Sequence, residues 1–181
     1  MGGVRAGHDD LDGKVMGAAG RSRASTVGPI ESSVDAPAAL VYEMLSSMGQ
    51  PRRPNGEQST ILAREGNRLV CEFWTLVPMP IGGGRIVRTR EEVRLLPPDR
   101  VQYRHLDGPL RDLREEIVVE PLAPRRTRLR YCATYRPKTL LHRLGFAILR
   151  PLVERTMVAH FTDLRGRAEA RARRSRVYPA S

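Results

Sequence analysis

Apolar residues along this chain recur with two different periods, and the switches between them mark its elements. Residues 27–34 read as a first strand. Asp35 is placed to cap a helix, Pro37 suits its first turn, and Leu40, Val41, Met44, Leu45 and Met48 recur at helical spacing. Gly49, Pro51 and Pro54 end that helix. Six strand-like segments follow, at 59–64, 68–77, 85–95, 100–106, 113–120 and 127–136. Turn residues separate them: Glu65-Gly66-Asn67, Pro78 and Pro80 with Gly82-Gly83-Gly84, Pro97-Pro98-Asp99, Asp107-Gly108-Pro109, and Pro121 with Pro124. Such even spacing predicts an antiparallel meander. A long helix over 139–173 closes the chain, with Thr139 as its cap. Its predicted inner face is Leu141, Leu144, Ile148 and Leu152, continued by Val153, Met157, Phe161 and Leu164. Pro151 is expected to kink or restart it. The order strand, helix, six strands, long helix predicts an α+β fold. A seven-stranded antiparallel sheet wraps around the last helix and leaves an apolar cavity.

Period-two alternation assigns the strand faces. In 85–95, Arg88, Arg90, Glu92 and Arg94 share one face, and Val87, Thr89, Glu91, Val93 and Leu95 the other. The second set is expected inside. The inner set continues with Val101, Tyr103 and His105, then Leu113, Glu115, Ile117 and Val119. Leu129, Tyr131, Ala133 and Tyr135 follow, with Leu69, Cys71, Phe73, Thr75 and Val77 on 68–77. A tight turn at Pro97-Pro98-Asp99 sets Leu95 opposite Val101, Val93 opposite Tyr103 and Glu91 opposite His105. A five-residue loop over 108–112 sets His105 opposite Glu115. The result is a row of three ionisable groups, Glu91, His105 and Glu115, on an otherwise apolar face. A histidine between two carboxylates is held protonated, and the carboxylates ionised. The row reads as an acid/base or ligand-polarising cluster, or as a structural ion-pair network.

The candidate cavity lining is therefore Phe73, Thr75, Val87, Thr89, Glu91 and Val93, with Tyr103, His105, Glu115, Ile117, Tyr131 and Tyr135 from the later strands. Leu144, Ile148, Leu152 and Met157 come from the last helix. The tyrosines pack as core or offer a hydroxyl to a ligand carbonyl. His160 reads as an ordinary helix histidine, His142 as exposed, and Trp74 as outward, under the first helix or at an interface.

At 181 residues the chain is long enough for one domain with a real core. Residues 1–26 lack periodicity and read as a disordered tail, 27–173 as the folded domain, and 174–181 as a basic tail. No apolar run reaches the roughly 18 residues of a membrane span. MGGVRAGHDDLDGK has no apolar stretch and does not read as a secretory signal, so the expected location is cytoplasmic. Cys71 and Cys132 belong to no CxxC or Cys/His cluster and fall on opposite sheet faces, so thiols are expected rather than a disulfide or a zinc site. There is no GxGxxG after a strand, no GxxxxGK[ST], no HExxH and no GxSxG; no metal or cofactor is expected. The net charge of +11 is almost all arginine, and residues 165–176 hold six Arg and one Glu. That stretch reads as a solvated helix end or as a contact for nucleic acid or an anionic membrane.

Three stretches resemble the START-like (SRPBCC) superfamily, which includes polyketide cyclases, the coenzyme Q-binding chaperone and the plant Bet v 1 proteins. They are VDAPAALVYEML, VQYRHLDGPLRDLREEIVVEPL, and TRLRYCATYRPKTLLHRLGFAILRPLVERTMVAHFTDLRGRAE. The resemblance runs from about residue 27 to 172. It implies a helix-grip fold with a deep apolar cavity, and relatives that bind lipids, quinones, polyketides and hormones or act as aromatase/cyclases. Many members carry a bulky aromatic where Ile117 stands, and Glu115 is unusual in an apolar lining; both favour a more polar ligand. Three functions follow as expectations. The first is binding of a hydrophobic small molecule such as a polyketide, isoprenoid quinone or lipid. The second is cyclase/aromatase chemistry by Glu91, His105 or Glu115. The third is an RNA-, ribosome- or membrane-associated role through the arginine-rich end.

Overall fold

A computed structural model of the protein describes residues 24–79, 83–137 and 139–175. In chain order the elements are β1 (Ser25–Val34), α1 (Ala38–Ser46), β2 (Gln58–Glu65), β3 (Arg68–Pro78), β4 (Gly84–Leu96), β5 (Arg100–Asp107), β6 (Arg114–Ala123), β7 (Arg126–Tyr135) and α2 (Leu140–Arg174). All seven strands form one antiparallel sheet in the order β1-β7-β6-β5-β4-β3-β2. The α+β helix-grip architecture read from the sequence is the architecture found. Most of the expected N-terminal tail lies outside the described residues. Ser25 and Thr26 do not belong to it, because they already pair with Tyr135 and Thr134. The expected C-terminal tail also lies outside them beyond Ser175, and Arg174 is still helical.

The β4–β5 register is the one the turn predicts, with Glu91 opposite His105, Val93 opposite Tyr103 and Leu95 opposite Val101. The β5–β6 register differs. Glu115 stands opposite Tyr103, not His105. The connection closes sooner than expected: His105 N–H donates to Leu113 O at 2.9 Å and Asp112 N–H donates to His105 O at 3.0 Å. A two-residue shift preserves which face each side chain takes, so Glu115 still points inward.

Two apolar clusters fill the space under the helices. The larger joins β1, α1, β6, β7 and α2 and contains Val34, Leu40, Val41, Leu129, Phe146 and Phe161. The smaller, Leu69, Cys71, Val93, Leu95 and Val101, closes the other end beneath Tyr42 and Leu45 of α1 and Met48 just beyond it. Leu40 and Val41 are fully buried, and each such side chain contributes roughly 1.5–3 kcal/mol. Asp35 does not cap α1. The N-cap position is Pro37, whose extended φ of −62° and ψ of 141° start the helix two residues later, with no side-chain cap. Asp35 instead donates its N–H to Glu169 of α2 at 3.2 Å.

Helix α2 is capped by Thr139, whose hydroxyl accepts from His142 N–H at 3.2 Å. It does not restart at Pro151 but continues to Arg174. Val153, Met157, Phe161 and Leu164 face the core as expected, but the first half of the helix presents a different side. Leu141, Leu144 and Ile148 are exposed, while Phe146 is buried and Leu149 and Val153 pack on the core. Both sets have helical spacing. Phe146 decides between them by stacking on Tyr135, with ring centroids 4.7 Å apart and planes at 28°. Along the arginine-rich stretch, Arg165, Arg167 and Arg171 pair with Glu169, Asp163 and Glu43.

Gly28 sits at the β1 bulge with φ +90°, and a Cβ there would lie 2.5 Å from the Tyr131 carbonyl oxygen. Gly28→Ala is expected to cost at least about 1–3 kcal/mol from backbone strain alone, plus the cost of shifting β7. The urea unfolding midpoint measures it.

Candidate functional site

Between the sheet and the two helices lies a cavity of about 380 Å³. Strand alternation aims Phe73 and Thr75 (β3), Val87, Thr89 and Glu91 (β4), Tyr103 and His105 (β5), Glu115 and Ile117 (β6), and Tyr131 (β7) into it. Leu152 and Met157 come from α2. Of the remaining expected lining residues, Val93 is buried in the smaller cluster and Tyr135 is taken up by Phe146. Leu144 and Ile148 are 57% and 73% exposed on the far side of α2 and do not line the cavity. Met44 of α1, Met48 just beyond it, Leu110 and Leu113 of the β5–β6 connection, and Leu149 and Val153 complete a largely apolar wall, with Gln50, Arg53, Glu57, His160, Asp163 and Arg167 toward its rim.

At its floor lies a buried polar knot. His105 Nε2 lies 3.0 Å from Glu115 Oε2 and 3.4 Å from Glu91 Oε1. Tyr131 donates its hydroxyl to Glu115 Oε1 at 2.6 Å, and Thr89 donates to Glu91 Oε1 at 2.5 Å. His105 and Glu91 are 8% and 7% exposed, so these groups interact in a medium far less screening than water.

Burial pulls the His105 imidazolium down, but the Glu115 hydrogen bond and the two carboxylate charges outweigh it, and its pKa rises to about 9. Burial raises both carboxyls. For Glu91 burial prevails over the attraction of His105, and its pKa stays above the ordinary value. For Glu115 the His105 hydrogen bond and charge, with the Tyr131 hydroxyl, prevail, and its pKa falls below. Burial and then Glu115 push the Tyr131 phenol up, so it remains a donor. Two neighbouring carboxyls on one imidazolium are thus shifted in opposite directions. Such divergence is the signature of an acid and a base built from like groups. One donor atom from each of Glu91, His105 and Glu115 lies within 4.8 Å of the others, so a divalent cation is the alternative counter-charge these residues could hold.

A second polar group stands at the rim. His160 Nε2 lies 3.3 Å from Glu57 Oε1, and Arg53 reaches Asp163 at 3.1 Å, tying the chain between α1 and β2 to α2. The His160 hydrogen bond is the first cause that brings the Glu57 pKa down to about 2. His160 therefore has a rim partner and is more than the ordinary helix histidine expected. Nothing local in the sequence signals a pair separated by 103 residues.

On the opposite face of the sheet, Arg88 and Arg90 flank Glu72, and Arg68 and Arg94 flank Glu92. Trp74 lies there, as expected, with the Arg88 guanidinium 5.8 Å from its ring centroid. Cys71 is buried and Cys132 half-buried; both are free thiols. Burial pushes the Cys71 pKa up to about 11. No helix among the described residues is long and apolar enough to cross a membrane.

A sheet wrapped on a long helix over an apolar cavity defines a helix-grip ligand-holding protein. The chain belongs to the polyketide cyclase / dehydrase and lipid transport family, whose profile matches residues 30–169. Among solved structures, the ZhuI aromatase/cyclase from Streptomyces sp. R1128 is 24% identical. It matches over 84% of this chain and 96% of its own, with a TM-score of 0.66. A START superfamily protein from Mycobacterium smegmatis is 16% identical over 81% of this chain and 97% of its own, at 0.58. A norcoclaurine synthase point mutant of Thalictrum flavum, in complex with a transition state analogue, is 16% identical over 81% and 93%, at 0.57. At these identities the likeness establishes the fold. No curated protein matches. Family and fold support a hydrophobic-ligand-binding or cyclase role.

Proposed function

We propose that the protein binds a hydrophobic, carbonyl-bearing molecule of the polyketide or quinone kind in this cavity, in the cytoplasm, and catalyses its cyclisation by proton transfer. One observation carries this reading: in a largely apolar cavity the His105 imidazole lies 3.0 Å from Glu115 and 3.4 Å from Glu91, two carboxyls whose pKa values shift in opposite directions. A stretch of apolar wall holds the chain and orders its carbonyls, which lowers the entropic part of the barrier. The Glu115 carboxylate takes a proton from the carbon between two carbonyls. The resulting carbanion attacks a second carbonyl carbon of the same molecule, forming the ring bond. Glu91, whose neutral form burial favours, gives its proton to the oxygen that becomes a hydroxyl. His105 then passes its Nε2 proton to Glu91 and receives the proton from Glu115, which restores the starting state. ZhuI, an aromatase/cyclase, supports the reaction class.

Glu91→Gln keeps the shape and removes the proton donor. Turnover of a synthetic β-polyketone is expected to fall by about 100-fold or more, while calorimetric binding changes little. Unchanged turnover removes the acid role. A co-purifying apolar molecule, seen by native mass spectrometry of protein from its own host, would support binding without chemistry if wild-type turnover is absent.

A further inference from the structure

The first half of α2 is apolar on two opposite sides. One side packs Phe146, Leu149 and Val153 toward the sheet. The other leaves Leu140, Leu141, Leu144 and Ile148 exposed at 70%, 77%, 57% and 73%. The spacing of residues 141, 144 and 148 makes this a single stripe. Single exposed leucines are ordinary, but four large aliphatic side chains within three turns form a patch. Arg136, Arg143, Arg150 and Arg155 around it are all exposed. Glu154 is the sole acid between residues 136 and 155, and Arg150 already holds it at 2.9 Å.

We propose that this face docks on an anionic lipid surface, with Leu141, Leu144 and Ile148 entering the headgroup–acyl boundary and Arg143, Arg150 and Arg155 meeting the phosphates. Two features select lipid over a second copy of the chain. The patch offers only a few hundred Å², well short of the roughly 800 Å² per partner of a specific dimer. Face-to-face pairing would also bring two arginine rims together. An apolar stripe bordered by arginines matches the boundary of an anionic bilayer, where the cations find phosphates and the leucines find acyl chains. Docking leaves the helix lying in the surface, not spanning it. Leu149 and Val153 on its other side line the cavity, so the cavity's helical wall would rest on the lipid. This surface is independent of the chemistry assigned to Glu91, His105 and Glu115.

Flotation of the full chain with phosphatidylcholine vesicles, with and without phosphatidylglycerol, tests the proposal. Wild type is expected to float with the anionic vesicles and not the neutral ones, with binding that weakens steeply as salt rises. Leu144→Glu with Ile148→Glu, and separately Arg143→Glu with Arg150→Glu, are expected to lower the bound fraction about tenfold. All four side chains are solvent-exposed, so circular dichroism and melting should match wild type. Three results overturn the proposal. Wild type fails to float with anionic vesicles in every condition tested. The Leu144→Glu/Ile148→Glu variant floats as wild type does. Binding survives both double variants and is lost only on Arg173→Glu with Arg174→Glu, which moves the contact to the end of α2.

Discussion

His105→Ala is expected to be the most damaging substitution in the cavity, with a stability loss of about 3–5 kcal/mol at neutral pH. The imidazole is the cation between two buried carboxyls, 3.0 Å from one and 3.4 Å from the other. Its removal leaves Glu91 and Glu115 facing each other without a counter-charge and opens a small void. The carboxyls relieve part of this by protonation, so Glu115 should lose its depressed pKa. Guanidinium unfolding measures the loss. A second variant separates function from stability. Glu91→Leu, His105→Phe and Glu115→Leu, with Thr89→Val and Tyr131→Phe to remove the orphaned hydroxyls, replace the whole knot by apolar groups of similar size. Buried ionic clusters replaced in this way often lose no stability. The expected result is a protein at least as stable as wild type with no turnover. A variant as unstable as His105→Ala would mean that the knot holds the fold together, and the catalytic reading would lose its main support.

Stability should also fall on the alkaline side of neutrality by about 3 kcal/mol, converting the His105 displacement at roughly 1.4 kcal/mol per pH unit. The folded pKa of about 9 lies above the unfolded value. The stabilisation is therefore complete below the ordinary histidine range. It declines as pH rises, and is spent above about 9. Glu91, also raised, acts in the same direction from a lower pH, because its favoured neutral form is given up as the medium becomes more basic. Glu115 and Glu57, both depressed, stabilise above the ordinary carboxylate range and lose that contribution as pH falls toward their folded values. The optimum should lie at mildly acidic to neutral pH. Melting curves from about pH 4 to about pH 10 test this, with His105→Ala as the control. The alkaline decline should be much smaller in that variant. Parallel declines would show that His105 is neutral in the folded protein.

Period two made most of the sheet legible from the residues. Glu91, His105 and Glu115 stood out because each interrupts an apolar alternation, and parity survives any slip of two residues. That same property hid the true β5–β6 register, in which Tyr103 faces Glu115. The closing bonds of the connection, from His105 N–H to Leu113 O and from Asp112 N–H to His105 O, belong to that register. The rotation of α2 was not legible, because its first half carries two apolar stripes at equivalent spacing. A stacking partner on β7 chooses between them. The start of α1 was misread because Asp35 suits a cap, while the fixed φ of Pro37 moves the helix start past its reach. The Glu57–His160 rim has no periodic trace, since Glu57 lies in the segment between α1 and β2 and His160 interrupts the apolar run Met157 to Phe161 of α2.

The sheet is open, with β1 and β2 as its two edges, and α2 lies across its inner face. The wall of the cavity is thereby split between two parts of the chain with different duties. The two carboxyls and the imidazole of the polar knot sit on β4, β5 and β6, and the Tyr131 hydroxyl on β7. Much of the opposite wall, Leu149, Leu152, Val153 and Met157, is written in nine consecutive residues of one helix. Substitutions along that short segment can reshape the space for a ligand while the proton-bearing groups keep their spacing. Selectivity and reactivity are therefore separately adjustable in this scaffold, and a designer could graft a different α2 segment to change what enters without rebuilding the chemistry.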